Sequence, residues 1–163
     1  MKNLPDSKIK KVKLIVTDVD GVLTDGSVYI TDSGEQSRKF YVRDGVAMKQ
    51  MLKQGLHVGM LSSALTPGAM KTRAKMLGVE LCYVGVEDKV KVLDEWRKKL
   101  NLEWDEIAYI GDDTVDKEVM KKVGFAACPA DAIQSIKDIS DVILETKGGR
   151  GCFREFADKF FIQ

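Results

Sequence analysis

Two clusters of carboxylates mark where chemistry could occur in this 163-residue chain. The first is Asp18-Val19-Asp20-Gly21-Val22-Leu23-Thr24, directly after an apolar run. In a near-extended segment residues two apart face the same side, so Asp18 and Asp20 can converge on one centre. Two like charges held together need a cation or a shared proton, and Gly21 permits close backbone approach or a positive φ behind them. The second cluster, Gly111-Asp112-Asp113-Thr114-Val115-Asp116, also follows an apolar run, at 107–110. Side by side, the two would form an oxygen-rich nest suited to Mg²⁺, which prefers carboxylates, carbonyls and water. Either cluster alone is weak evidence, because Asp is common in turns and at helix N-caps. Their joint placement behind apolar runs is what points to a site.

Two further residues fit the same picture. Ser62 closes the apolar run 57–61 and could donate its hydroxyl to a phosphoryl oxygen, although Ser there is also an ordinary helix cap. Lys89 opens a helical stretch, where its cation opposes the helix dipole unless an anion lies nearby.

These residues need a scaffold that gathers strand ends, and the rest of the sequence supplies one. Short β-type runs at 12–17, 57–61, 81–83, 107–110, 125–127 and 142–144 alternate with helix-length amphipathic stretches at 45–54, 68–77, 89–100 and 117–123. That alternation predicts an α/β protein, a Rossmann-like parallel sheet flanked by helices, in which ligands gather at the carboxyl ends of the strands. One stretch departs from it. Residues 27–42 carry two β-type runs, 28–30 and 39–42, around Thr31-Asp32-Ser33-Gly34, and read as a small β-hairpin insert. Gly148-Gly149-Arg150-Gly151 reads as a flexible breaker. Phe153, Phe156, Ala157, Phe160 and Phe161 then share one face at helical spacing, as in a helix that closes the core. The whole is expected to be a single domain, 1–163, with a polar leader (1–11), the hairpin (27–42) and a C-terminal tail (148–163).

Composition narrows the function. Twenty-six Lys and Arg against 25 Asp and Glu give a net charge of +1, too balanced for a nucleic-acid or anionic-membrane surface spread over the molecule. The apolar runs fall far short of the ~20 residues of a membrane span, and no signal-peptide pattern opens the chain, so a cytoplasmic location is expected. Cys82, Cys128 and Cys152 are odd in number and widely spaced, which suggests buried thiols rather than a disulfide framework or metal knuckle.

The order Asp-x-Asp-Gly, Ser, Lys, Gly-Asp-Asp-x-x-Asp resembles the haloacid dehalogenase superfamily of aspartyl phosphatases, over residues 13–156. The resemblance implies that Asp18 is the nucleophile and Asp20 the general acid and base, its backbone carbonyl also holding Mg²⁺. It further implies that Asp18 and Asp112 bind the metal, that Ser62 and Lys89 hold the phosphoryl group, and that Asp116 positions Lys89 or a metal-bound water, with Asp113 in support.

A narrower resemblance is carried by Thr24-Asp25-Gly26 before a hairpin, Tyr41-Val42-Arg43-Asp44-Gly45 and Gly148-Gly149-Arg150-Gly151. These are similar to the capless 3-deoxy-D-manno-octulosonate 8-phosphate phosphatases, which assemble as tetramers and hydrolyse a phosphorylated keto-sugar acid on the way to lipopolysaccharide. The implied partner is a small sugar phosphate, with Arg43, Asp44, Gly45, Arg73 and Arg150 joining Asp20 in substrate binding; Arg43 could grip a carboxylate with two hydrogen bonds. The second motif departs from the family, whose members continue through Gly-Arg where this chain has Ser62-Ser63-Ala64-Leu65-Thr66-Pro67-Gly68. Ser62 and Ser63 therefore both stand as possible phosphoryl ligands. Two neighbouring readings remain: a nonulosonate 9-phosphate phosphatase, and a non-catalytic oligomerisation module like the phosphatase-like domain of animal sialic-acid cytidylyltransferases. A signalling receiver domain fits less well, since its acidic pair and phosphoacceptor lie on different strands.

Overall fold

The computed structural model describes residues 6–162. Along the chain run α1 (Asp6–Lys11), β1 (Leu14–Thr17), β2 (Tyr29–Ile30), β3 (Gln36–Ser37), α2 (Val42–Lys53), β4 (His57–Ser62), α3 (Gly68–Leu77) and β5 (Leu81–Val84). They are followed by α4 (Lys89–Lys99), β6 (Ile107–Ile110), α5 (Lys117–Met120), β7 (Phe125–Cys128), α6 (Gln134–Lys137), β8 (Val142–Ile143) and α7 (Cys152–Phe160). Six strands form one sheet in the order β5-β4-β1-β6-β7-β8, every neighbouring pair parallel. The expected α/β architecture, with its hairpin and no large cap domain, is the one observed.

The central strands β1, β4, β6 and β7 are buried on both faces, as parallel strands between helices must be, and their two-residue period sorts side chains into two cores. Ile15, Met60, Ile110 and Phe125 pack with α2, α3 and α7. Leu14, Val16, Leu61, Tyr109 and Cys128 pack on the other face with Val92 and Leu93 of α4 and Ile136 of α6. Helix ends are fixed locally. The Asp88 carboxylate caps α4 by accepting the Val90 and Lys91 amides at 2.7 and 3.2 Å, and α3 stops at Gly78 in the left-handed conformation, φ 76°.

The chain runs from β1 outward to β4 and β5, then returns to lay β6 on the other side of β1. This reversal opens a crevice beyond the carboxyl ends of β1 and β6. Thr17, the last residue of β1, pairs with Met60 of β4 and Ile110 of β6. Asp18 and the Gly111-Asp112 step therefore leave the sheet at one level.

Several elements differ from the sequence expectation, among them α2, which starts at Val42 rather than 45. The second hairpin arm is Gln36–Ser37, paired with Ile30 and Tyr29, rather than 39–42. Phe40 and Tyr41 look strand-like, but Phe40 packs against the core and Val42 starts α2. Helix α5 ends at Met120, short of the expected 123, and the four-residue α6 was not anticipated. The polar leader lies partly outside the described residues; within them it is α1, pinned by Lys11 to Asp105 at 2.7 Å.

Residues 148–151 form a packed turn. Gly148, Gly149 and Gly151 are buried, the Gly149 amide donates to the Val22 carbonyl at 2.9 Å, and the Gly148 amide to the Asp131 carboxylate at 2.9 Å. The small residues serve close backbone packing here, where mobility was expected. Beyond them, α7 buries Cys152, Phe153, Phe156 and Ala157, with the Phe125 ring tilted by 32° against Phe156 at 5.3 Å and edge-on to Phe160 at 5.1 Å. This is the core-closing helix predicted by the phenylalanine spacing.

Candidate active site

An open cleft of about 370 Å³ lies at the crevice, lined by residues of both acidic clusters and of the loop after β4, including Asp18, Asp20, Ser62, Ser63, Asp112 and Asp113. Asp18 is almost wholly buried at its base. Its Oδ1 accepts the Val19 amide at 2.7 Å and lies 3.0 Å from Lys89 Nζ. Lys89 is equally buried and sits 2.7 Å from Asp116 Oδ1, which also accepts the Tyr109 hydroxyl at 2.7 Å. The second Asp116 oxygen accepts the amides of Asp112 and Asp113 at 3.0 and 3.3 Å. Asp116 thus spends both oxygens on holding Lys89 and the turn after β6.

Asp112 is different. Its buried Oδ1 has no hydrogen-bond partner, and carboxylate oxygens of Asp18, Asp112 and Asp116 lie within 4.8 Å of one another. Three carboxylates against one ammonium leave two negative charges uncompensated. The electrostatics register the deficit. Burial, then Asp116, push the Asp18 carboxyl well above its usual range despite Lys89, and burial with Asp116 and Asp113 raises Asp112 to about 7. Burial alone would lower Lys89, but Asp18 and Asp116 outweigh it and raise the ammonium. A divalent cation between Asp18 and Asp112 would satisfy the orphan oxygen, restore both carboxylates to the ionised form and balance the charge. The donor set is all oxygen, as Mg²⁺ requires. Gly21 makes the approach possible: at φ 93° it lies so close to Asp112 that a Cβ there would overlap the Asp112 carboxylate.

Asp20 stands at the mouth of the cleft, half-buried, gripped by Arg38 through Nε to Oδ1 at 2.7 Å and Nη2 to Oδ2 at 3.4 Å. Ser62 is buried as the last residue of β4 and its Oγ accepts the Ala64 amide at 3.1 Å, leaving the hydroxyl proton to donate elsewhere; Ser63 is exposed beside it. Both serines line the cleft.

Five residues that the narrower resemblance links to substrate do not line this cleft in the single chain. Arg43 is exposed near the start of α2, and Arg150 is exposed on the turn before α7. Asp44, Gly45 and Arg73 border a small separate space beside Leu23 and Phe40. Asp44 is buried and its Oδ1 accepts the Arg154 amide at 2.8 Å, capping α7 from across the chain. Arg73 lies over the Phe40 ring, 5.9 Å from its centroid.

Two residues in the network escaped the sequence reading. Tyr109 carried a weak signal, because a phenol inside an otherwise aliphatic strand must find a polar partner. Arg38 carried none: it sits in a polar hairpin arm, and its acidic partner lies eighteen positions away.

The parallel sheet with a buried carboxylate after its central strand, a Lys beside it and a second acidic loop defines a haloacid dehalogenase-like hydrolase. The family model so described matches residues 79–154. The chain is 36% identical over 151 residues, covering 93% of it and 83% of the relative, to the 3-deoxy-D-manno-octulosonate 8-phosphate phosphatase KdsC of Haemophilus influenzae. It is 33% identical to KdsC of Escherichia coli K12, over 93% of this chain and 80% of that one. Among solved structures, the Moraxella catarrhalis 3-deoxy-D-manno-octulosonate 8-phosphate phosphatase, in complex with a magnesium ion, a phosphate ion and a KDO molecule, superposes with a TM-score of 0.90. It is 30% identical, with 95% of this chain and 88% of that one covered. The cobalt-bound Haemophilus influenzae enzyme gives 0.89 at 35% identity, with 94% and 89% covered. This chain belongs to the 3-deoxy-D-manno-octulosonate 8-phosphate phosphatase family.

Proposed function

We propose that the protein is a Mg²⁺-dependent phosphatase whose substrate is an acidic keto-sugar phosphate, 3-deoxy-D-manno-octulosonate 8-phosphate, acting through an aspartyl-phosphate on Asp18. The observation that carries the reading is the buried Asp18–Lys89–Asp116 chain beside the unpartnered Asp112 oxygen. An Asp18 oxygen attacks phosphorus, the P–O ester bond breaks, and Asp20 gives its proton to the departing sugar oxygen. Asp20 then takes a proton from the water that attacks the aspartyl-phosphate, which regenerates Asp18 and releases inorganic phosphate. Lys89 and Ser62, or Ser63 in its place, face the phosphoryl oxygens. Bound between Asp18, the Asp20 carbonyl and Asp112, Mg²⁺ would neutralise phosphoryl charge. A non-catalytic module would not need this converging set.

The substrate reading assigns Arg43, Asp44, Gly45, Arg73 and Arg150 to the sugar acid; none of them lines the cleft of one copy, and it is the exposed Arg43 and Arg150 that could serve the site of a neighbouring copy, whereas Asp44 is buried as the cap of α7. We therefore propose a cytoplasmic homotetramer in which hairpins and turns from neighbours roof the open site. A two-stranded hairpin alone in water is marginal, and this one exposes Tyr29 and Ile30 at 57% and 66%, an apolar pair suited to a neighbouring subunit. Among the described residues, no helix is long and apolar enough to cross a membrane.

Phosphate release from a panel of sugar phosphates, with and without Mg²⁺, tests the proposal. The ulosonate phosphate is expected to lead, with turnover lost on chelation. Arg43→Ala is expected to weaken kcat/KM by about 1.5 to 3 kcal/mol through loss of a charge-assisted contact. Glucose 6-phosphate outperforming every ulosonate phosphate overturns the substrate, and a fully active monomer in light scattering overturns the shared site.

A further inference from the structure

Arg38 is a long cation directly after the exposed two-residue strand β3, yet its side chain is only 4% exposed. The hairpin folds it inward, onto Asp20 at the mouth of the cleft. There its guanidinium makes three contacts: Nε to Asp20 Oδ1 at 2.7 Å, Nη2 to Asp20 Oδ2 at 3.4 Å and Nη1 to Thr66 Oγ1 at 3.3 Å. Thr66 in turn donates to Gln36 Oε1 at 2.8 Å, so the hairpin holds the loop residue that contacts the guanidinium. Arg38 does not touch Asp18, Lys89 or Asp116, whose charges are arranged among themselves. Its place in the fold is explained by Asp20.

The two arms of the grip are unequal. The short Nε contact fixes Oδ1, while the 3.4 Å contact leaves Oδ2 loosely held. A planar guanidinium that holds one carboxylate oxygen also fixes the plane of the other. We propose that Arg38 is the positioning residue for Asp20: it anchors Oδ1 and presents Oδ2 as the oxygen that exchanges a proton with the substrate. This rests on the phosphatase reading above. In the step concerned, the proton on Oδ2 passes to the bridging ester oxygen as Asp18 forms its bond to phosphorus, and the electron pair of the breaking P–O bond stays on that oxygen. Positioning matters because a proton donor displaced by about 1 Å loses much of its effect. The Gln36–Thr66 brace extends the role to the hairpin, which becomes part of the catalytic apparatus of its own chain.

The test uses phenyl phosphate and p-nitrophenyl phosphate, neither of which carries a second anion. Phenol departs far better with a proton supplied, whereas p-nitrophenolate needs that help much less. The quantity compared is kcat/KM, which reports phosphoryl transfer to the enzyme and not the later hydrolysis. Arg38→Ala is expected to lose roughly tenfold more on phenyl phosphate than on p-nitrophenyl phosphate, a fraction of the 10² to 10⁴ typical of general acid catalysis. Arg38→Lys keeps the charge without the fork and is expected to show the same selective loss at smaller size; it carries the comparison alone if the alanine variant does not fold. Equal losses on both esters overturn the proposal and leave the phosphatase reading standing. Failure of the wild-type enzyme to hydrolyse either ester, or any sugar phosphate of the panel, overturns both.

Discussion

Asp44 offers a quantitative test of how this fold is held together. It lies in the first turn of α2, only 3% exposed, with one oxygen bonded to the Arg154 amide and the other without a partner. Burial pushes its carboxyl from an ordinary 3.8 up to about 7, against the opposing pull of the Arg154 amide and the Arg73 cation. An acid raised on folding stays protonated in the folded chain while the unfolded chain has already ionised. Its contribution to stability is therefore full below pH 3.8 and is lost as pH rises toward 7. At ~1.36 kcal/mol per pH unit, with the slope falling to half where the folded group is half ionised, the part lost between pH 5 and 7 is about 2.3 kcal/mol. Asp44→Asn keeps a carbonyl to accept the Arg154 amide and cannot ionise. Urea unfolding of both proteins at pH 5 and pH 8 is expected to show the variant gaining about 2 to 3 kcal/mol on the wild type as pH rises. A difference that does not change with pH, or that moves the other way, refutes the reasoning. If Asp44 instead serves the substrate directly, kcat/KM changes and the stability slope does not.

Asp18→Asn, which keeps shape but removes the nucleophile, is expected to abolish phosphate release, and near wild-type turnover would exclude the aspartyl-phosphate route. Mg²⁺ is expected to stabilise the wild type by relieving the two uncompensated charges, by ~2.7 kcal/mol at a hundred times its Kd, seen as a raised thermal midpoint; Asp112→Ala should remove most of that rise in a calorimetric melt. Truncation after Glu145 should leave the protein aggregated or severely destabilised, because Phe153 and Phe156 alone account for roughly 3 to 6 kcal/mol of burial. A soluble truncated chain with an unchanged melting point would show that α7 is dispensable.

The sheet was legible because its strands are short apolar runs separated by amphipathic helices, a pattern that burial on both faces imposes directly on the sequence. The acidic clusters were legible for a related reason: each follows its strand without a gap, so the register that aligns Thr17 with Ile110 also brings Asp18 near Asp112. The hairpin was placed but its second arm was set three residues late, since Phe40 and Tyr41 carry strand-like side chains, and Phe40 is used for packing on the core. The turn at 148–151 was misjudged for a different reason. Glycine marks freedom in a sequence, but it equally marks tight backbone packing, and only the partner segment distinguishes them. Arg38 and the capping role of Asp44 were invisible because each depends on one long-range pairing, to Asp20 and to Arg154, with no local pattern to announce it.

The turn before α7 ties the loop behind Asp18 to a segment made much later. The Gly149 amide and the Cys152 thiol both donate to the Val22 carbonyl, at 2.9 and 3.2 Å, and a side chain at residue 148 would overlap the Gly21 carbonyl. On the ribosome the Asp18 loop emerges early, whereas its backbone partners follow after roughly 6 to 25 seconds of further elongation. Until they arrive, the Val22 carbonyl lacks its two donors and the loop lacks the wall against which it is shaped. Docking of the turn and α7 is therefore the step that completes the backbone around the Asp18 loop.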